Sequence, residues 1–261
     1  MPTINELLAD ESIDLAATAD SWEDAIRQAG RLLSATGNVD PSYTEAMVES
    51  VKNNGPYIVV APGFAFAHAR PSSAVRKTTV SWLHLTEAVE FGHPKNDPVR
   101  IVVALAALDS TSHQQAMADI ATVLSKRREE LDAALTPAQL RQVLGGTAPT
   151  PATTDTDTDT ASYSTEPKNK ILTVCGNGLG TSLFLKNTLE DVLGTWGWAP
   201  FINVEATDTI SAKGKAKEAD VILTSGEIAR TLGDLGVPVY IIEDFTSTGE
   251  VDSALRELYD I

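Results

Sequence analysis

Cysteine is almost absent: Cys175 is the only one in 261 residues. A single thiol closes no intrachain disulfide, so the reducing cytoplasm is the default compartment. Positive charge is scarce as well, with 20 Lys and Arg against 36 Asp and Glu and a formal net charge of -16. Nucleic acid and anionic membrane surfaces carry the same sign as the protein, which argues against nonspecific binding to either. Long apolar runs are missing. The strongest, "VRIVVALAAL", falls well short of the roughly 20 residues of a membrane-spanning helix, and "MPTINELLADESIDL" lacks the basic start and uninterrupted apolar core of a secretion signal. The four histidines, His68, His84, His93 and His113, form neither HExxH nor a compact Cys/His cluster. No metal and no cofactor are expected.

What the chain does have is enough apolar residue, 43%, for two ordinary cores. Composition breaks between them, at "GGTAPTPATTDTDTDTASYSTEPKNK", where small, polar and Pro residues replace apolar periodicity. Such a stretch builds no core and reads as a flexible linker over 145–168, separating a domain over 1–144 from one over 169–261.

In the first domain, Ser21 and Asp24 frame the start of an amphipathic helix in "SWEDAIRQAGRLL". Pro41 and Asn54-Gly55 bound a second helix, and "YIVVA", "KTTVSWLHL" and "VRIVVALAAL" read as strands. Ser112 and Gln115 stand in capping-box spacing, so a helix is expected there with His113 in its first turn. This is an α/β or α+β domain. The second domain alternates "KILTVC", "GTSLFLKNTLEDVLG", "FINVEAT", "SAKGKAKEA", "DVILTS", "VPVYIIED" and a final helix in "TGEVDSALRELYD". That rhythm favours a mostly parallel, helix-covered sheet.

Cys175 ends a strand and precedes "GNGLGTS", which opens a helix. In open parallel sheets ligands bind beyond the carboxyl ends of strands, where the next helix presents unpaired N–H donors. The placement points a thiolate and several backbone amides at one small volume. Gly176, Gly178 and Gly180 allow close approach of the backbone, while Asn177, Thr181 and Ser182 offer hydrogen bonds to phosphoryl oxygens. There is no Lys before Ser/Thr, as a nucleotide P-loop requires. Thr181 stands where cysteine phosphatases carry their Arg, and the spacing does not fit a dinucleotide site. The alternative is a small buried core cysteine beside a tight Gly turn.

His68 follows Pro62-Gly63 and precedes Arg70-Pro71, a setting that favours a shaped loop. A neutral imidazole nitrogen accepts a phosphoryl group while the other is oriented by a hydrogen bond. His113 beside it would stabilise the transferred charge, and Arg70 would add a donor. A structural role is the competing reading for every histidine. His84 in "SWLHLTE" fits it best, and His93 in "FGHPKNDP" reads as a surface residue.

Together, "GPYIVVAPGFAFAHARP", "SWLHLTEAVEFGHPKNDPVRIVVALAALDSTSHQQAM" and "ILTVCGNGLGTSLFLK" resemble enzyme IIA and enzyme IIB of the bacterial phosphoenolpyruvate-dependent sugar phosphotransferase system, nearest its ascorbate-specific branch. The resemblance implies a mannitol/fructose-type IIA α/β sandwich followed by a small phosphatase-like IIB domain with a mostly parallel sheet. It implies that His68 takes phosphate from the phosphocarrier protein HPr with His113 assisting, and hands it to Cys175. The phosphate loop would be Cys175 with Gly176, Asn177, Gly178, Leu179, Gly180, Thr181 and Ser182. A membrane IIC partner would carry the sugar, expected to be L-ascorbate, and draw this cytoplasmic component transiently to the inner face of the membrane. The family's active loop reads Ile/Leu-Pro before the histidine, whereas this chain has Phe66-Ala67. The mannitol-type Arg is not found around Glu49 and Ser50, and Arg70 is the substitute candidate. The alternatives are a IIAB component for another pentitol or sugar, or a phosphorylation-dependent regulator sensing carbohydrate flux, for which no output domain is evident. Transfer within one chain and between the chains of a homodimer both stay open.

Overall fold

Short runs of alternating apolar residues build two separate sheets in the computed structural model, which describes residues 3–145, 169–175 and 180–259. The one-turn helix α1 (Ile4–Leu7) runs into β1 (Leu8–Ala17), followed by α2 (Trp22–Ala35), α3 (Pro41–Asn54), β2 (Val59–Ala61) and β3 (Phe64–His68). Then come β4 (Thr79–Val89), β5 (Val99–Ala106), α4 (Ser110–Asp132) and α5 (Pro137–Gly145). These strands form one mixed sheet in the order β1-β4-β5-β3-β2. Gly145, expected to open the linker, is the last residue of α5. The rest of that expected linker, 146–168, lies outside the described residues.

The helix ends follow local chemistry. The Ser21 side chain accepts from the Asp24 amide at the start of α2. Asp40 caps α3 with Pro41 in its first turn, and Gly55 at φ 78° stops it where a side chain would be strained. At α4 the expected cap is corrected: Asp109, not Ser112, accepts the hydrogen bond, taking it from the Ser112 amide at 2.8 Å. The Ser112 hydroxyl is tied to the same carboxylate at 3.1 Å, so the spacing that suggested a capping box belongs to residues already inside the helix.

The segment before His68, expected as a shaped loop, is the strand β3. Each of its residues pairs in parallel with β5, ending at His68 opposite Leu105. Period-two alternation decides what His68 faces. Ala65 and Ala67 pack with Ile26, Leu33, Tyr43 and Met47 beneath α2 and α3. Phe64 and Phe66, and therefore His68, lie on the opposite face, where Met117, Ile120 and Leu124 of α4 complete the core.

The second sheet consists of β6 (Lys170–Cys175), β7 (Asn203–Asp208), β8 (Val221–Thr224) and β9 (Val239–Ile241), in the order β7-β6-β8-β9. Every pairing is parallel, as alternation with helices requires. The helices are α6 (Gly180–Trp196), α7 (Thr209–Lys215), α8 (Gly226–Leu232) and α9 (Thr248–Tyr259). Leu172, Val174 and Ile222 pack beneath α7 and α8 on one face. Ile171, Val221 and Leu223 pack with Phe184 and Leu189 on the other.

The apolar layer under α6 is continuous with the layer under α4. Phe66 and Phe184 bring their ring centroids to 5.8 Å. The Phe245 amide donates to the Val60 carbonyl at 3.1 Å, and Asn96 donates from Nδ2 to both Val59 and Glu243 carbonyls. Such contacts dock the second domain against α4, the edge strand β2 and the face of the first sheet that carries Phe66 and His68.

Candidate active site

His68 is 2% exposed at the carboxyl end of β3. Its Nδ1 stands 2.9 Å from the Phe66 carbonyl oxygen. A carbonyl only accepts, so the proton sits on Nδ1 and Nε2 keeps its lone pair. That Nε2 is buried with no hydrogen-bond partner among the described residues. His113, on the first turns of α4, places its ring centroid 5.4 Å away at 63°. Its Nδ1 is likewise buried and unpartnered. Two buried imidazole nitrogens without protein partners cost on the order of 1–3 kcal/mol each, a cost a fold retains where the atoms serve a ligand or a reaction. Burial lowers the His68 pKa to about 4 against a smaller opposing pull from the Phe66 carbonyl. Burial and then the neighbouring His68 lower His113 to about 3. Both rings are neutral near pH 7, as a nitrogen nucleophile requires.

Two tyrosines that the sequence did not single out hold this pair. The Tyr43 hydroxyl contacts the carbonyls of Ala69 and Leu105 at 2.8 and 3.0 Å and accepts from the Ala69 amide at 3.1 Å, pinning the chain just after His68. Tyr57 sets its ring edge-on to His68, centroids 5.8 Å apart at 89°, with its hydroxyl 2.7 Å from Ser50 Oγ. Both partners are distant in sequence from the group they position, so no local pattern marks them.

Cys175 ends β6 at 2% exposure, its Sγ 3.5 Å from the Ser182 hydroxyl. Burial pushes the thiol up, and hydrogen bonds from the side chains and amides of Ser182 and Thr181 only partly offset this. In the docked arrangement Cys175 is therefore a thiol, not the thiolate that its loop suggests. Thr173 donates to the Ser182 carbonyl at 3.0 Å and fixes the start of α6. Of the expected phosphate loop, Gly180, Thr181 and Ser182 form the first turn of α6, with Thr181 and Ser182 buried. Gly176, Asn177, Gly178 and Leu179 lie outside the described residues.

The cysteine site and the histidine site adjoin. Phe66 contacts the His68 ring on one side and Phe184 of α6 on the other, each at 5.8 Å. Burial pushes the Tyr57 hydroxyl up to about 12, Ser50 opposes the shift, and Cys175 lies near enough to add to it when ionised. Arg70 is exposed, outside the buried pair. Its charge acts across the junction on Asp208, whose carboxyl burial would raise but the Ser211 and Ile210 amides, the Ser211 hydroxyl and Arg70 together hold low. The other histidines lie apart. His84 is buried near Asp132 and Ala134, at the far end of α4 from His113. His93, expected at the surface, is instead buried, and its Nδ1 accepts from the Lys95 and Asn96 amides to shape the loop that carries Asn96. Among the described residues, no group of three or more His, Cys, Asp or Glu side chains is placed to hold a metal ion.

Residues 6–145 match the family described as phosphoenolpyruvate-dependent sugar phosphotransferase system, EIIA 2. The chain belongs to that family. Residues 170–257 match the family described as PTS system, lactose/cellobiose specific IIB subunit. The chain is thus a fused IIA–IIB phosphotransferase that relays phosphate within the phosphoenolpyruvate-dependent system. Its IIA part is 40% identical over 111 residues to the ascorbate-specific PTS system EIIA components of Escherichia coli K12 and Salmonella typhimurium, spanning 42% of this chain and 72% of each relative. In fold it is similar to the solution structure of a mannitol-specific cryptic phosphotransferase enzyme IIA from Escherichia coli, with 29% identity and a TM-score of 0.50 over 55% of this chain and 98% of the other. Among the described residues, no helix is long and apolar enough to cross a membrane.

Proposed function

We propose that His68 accepts phosphate from phospho-HPr, passes it to Cys175, and that Cys175 delivers it to L-ascorbate brought by a membrane IIC partner. The observation that carries this reading is the pair of buried, unpartnered nitrogens, His68 Nε2 and His113 Nδ1, joined through Phe66 to Phe184 on the helix that follows Cys175. In the relay step the bond between Nε2 and phosphorus breaks with its electron pair left on Nε2. The bond between phosphorus and Sγ forms, and the thiol proton passes to a phosphoryl oxygen. His113 flanks the phosphoryl group. The Thr181 and Ser182 hydroxyls and amides receive it beside Cys175, joined in this reading by Gly176 to Gly180, while Arg70 adds positive charge at the rim. The sugar class rests on the ascorbate-specific names of the IIA relatives. The lactose/cellobiose name of the IIB match is a family description for the other half. The chain divides, in this reading, into a IIA domain over 1–144, a linker over 145–168 and a IIB domain over 169–261.

Intact-mass analysis after incubation with phosphoenolpyruvate, enzyme I and HPr, under conditions that keep labile phosphates, tests the order. Wild type takes up phosphate, His68→Ala takes up none, and Cys175→Ser holds it on His68 alone. Phosphate on Cys175 in the His68→Ala chain would overturn the order. A cognate HPr that leaves the wild type unphosphorylated would overturn the relay.

A further inference from the structure

We infer that the Tyr57 hydroxyl, held by Ser50, donates a hydrogen bond to the phosphoryl group during its passage from His68 to Cys175. The inference rests on the relay proposed above and adds a residue to it. Tyr57 sits where α3 gives way to β2, just past Gly55 and Pro56, and is 5% exposed. Its ring meets the His68 ring at right angles, and its hydroxyl lies 2.7 Å from Ser50 Oγ. Either hydroxyl of that pair can be the donor. With Ser50 donating, the tyrosine proton is free to turn toward a phosphoryl oxygen, and the phenol oxygen stays satisfied.

The electrostatics of the site call for such a donor. Phosphoryl transfer spreads charge over three equatorial oxygens, and catalysis consists largely of placing donors against them. Among the described residues no Lys or Arg is buried, and His113 is neutral, so the IIA side offers no buried cation for that charge. Tyr57 is near both reacting residues: its ring touches His68, and Cys175 is close enough that an ionised thiol there would raise the phenol further. A hydroxyl so placed has the phosphoryl path from Nε2 to Sγ within its reach. Because burial holds the phenol protonated far above neutral pH, the group donates and never repels the phosphate. In the balanced step, Nε2 keeps the electron pair of the broken bond, the thiol proton moves to a phosphoryl oxygen, and Tyr57 keeps its own proton throughout.

The test uses the full chain and Tyr57→Phe, which keeps the ring on His68 and removes only the hydroxyl. Single-turnover mixing with phospho-HPr, followed by rapid quench and peptide mapping of the two phosphoresidues, gives the His68-to-Cys175 rate. Loading of His68 is measured in the Cys175→Ser background with and without Tyr57→Phe. The expected result is that transfer slows by about 10- to 100-fold and by clearly more than loading, with thermal unfolding within a degree or two of wild type. Ser50→Ala should slow the same step less, because it misorients the donor without deleting it. Transfer at the wild-type rate in Tyr57→Phe would overturn the proposal. So would equal slowing of both steps with lowered stability, the signature of ring packing alone. Failure of the wild type to load or pass phosphate would overturn the relay and this inference together, an outcome distinct from failure of Tyr57→Phe alone.

Discussion

At His68, one hydrogen bond sets the chemistry. The Phe66 carbonyl claims the Nδ1 proton at 2.9 Å, which fixes the ring and leaves Nε2 with the free lone pair that the proposed attack on phosphorus needs. Burial adds a second property, since an imidazole with a pKa near 4 does not titrate across the physiological range. A ring titration by NMR should show His68 Hε1 unmoved from pH 8 to pH 5, and a midpoint near 6.5 would show that the site is open to water. The same shift links to stability with a definite sign. The unfolded chain takes up a proton as pH falls through 6.5 while the folded chain refuses it until about 4, so stability is fully present above 6.5 and declines between these values. For His68 the loss is on the order of 3 kcal/mol, and His113 acts in the same direction. Denaturant midpoints measured from pH 7.5 to 4.5 should fall, and fall less in His68→Gln. A midpoint that rose on acidification would contradict the burial of the pair.

At the scale of elements, β3 shows what position in a sheet does for a reactive side chain. The Gly and Pro residues around His68 read as a loop, yet "FAFAH" is a strand because β5 supplies a parallel partner for every one of its residues. A local pattern cannot announce a partner that arrives after another strand and a turn. Tyr43 follows the same logic, reaching Ala69 and Leu105 across 26 and 62 positions of sequence. Tyr43→Phe leaves the Ala69 amide and the Leu105 carbonyl short of a partner. It should cost about 1–3 kcal/mol in denaturant unfolding and slow loading of His68, since the residue after it is no longer pinned. An unchanged unfolding curve would show that water or the backbone replaces the hydroxyl. The candidate site stands out through rare residues: one cysteine and four histidines leave few alternatives to Cys175, His68 and His113. Most elements were legible from apolar period and end signals, α2, α3 and β5 among them, but two were not. The seven-residue α8 is too short for helical periodicity to register, and β1, paired to β4 with two register shifts, hides its alternation among acidic residues.

At the scale of the whole molecule, both proposed phosphate acceptors are buried in the docked arrangement. His68 and Cys175 are each 2% exposed, behind a continuous apolar layer that joins α4 to α6 and a polar link from Asn96 to Glu243. In the proposed relay this arrangement suits transfer between the two residues and shuts out an outside donor or acceptor, so loading and delivery would require the halves to part. Both halves belong to one chain, and residues 146–168 tie them within at most about 80 Å even at full extension. A tethered partner meets its target at an effective concentration in the millimolar range. Transfer from His68 to Cys175 in the wild type should therefore be first-order, with a rate unchanged by 100-fold dilution. A mixture of His68→Ala and Cys175→Ser chains can reach phosphocysteine only by encounter between molecules. At about 10 µM that route should be roughly 100-fold slower and weaken further with dilution. A wild-type rate that itself falls with dilution would place the transfer between chains, and a stable homodimer in which each IIA part serves its neighbour would then show wild-type rates in the mixed heterodimer.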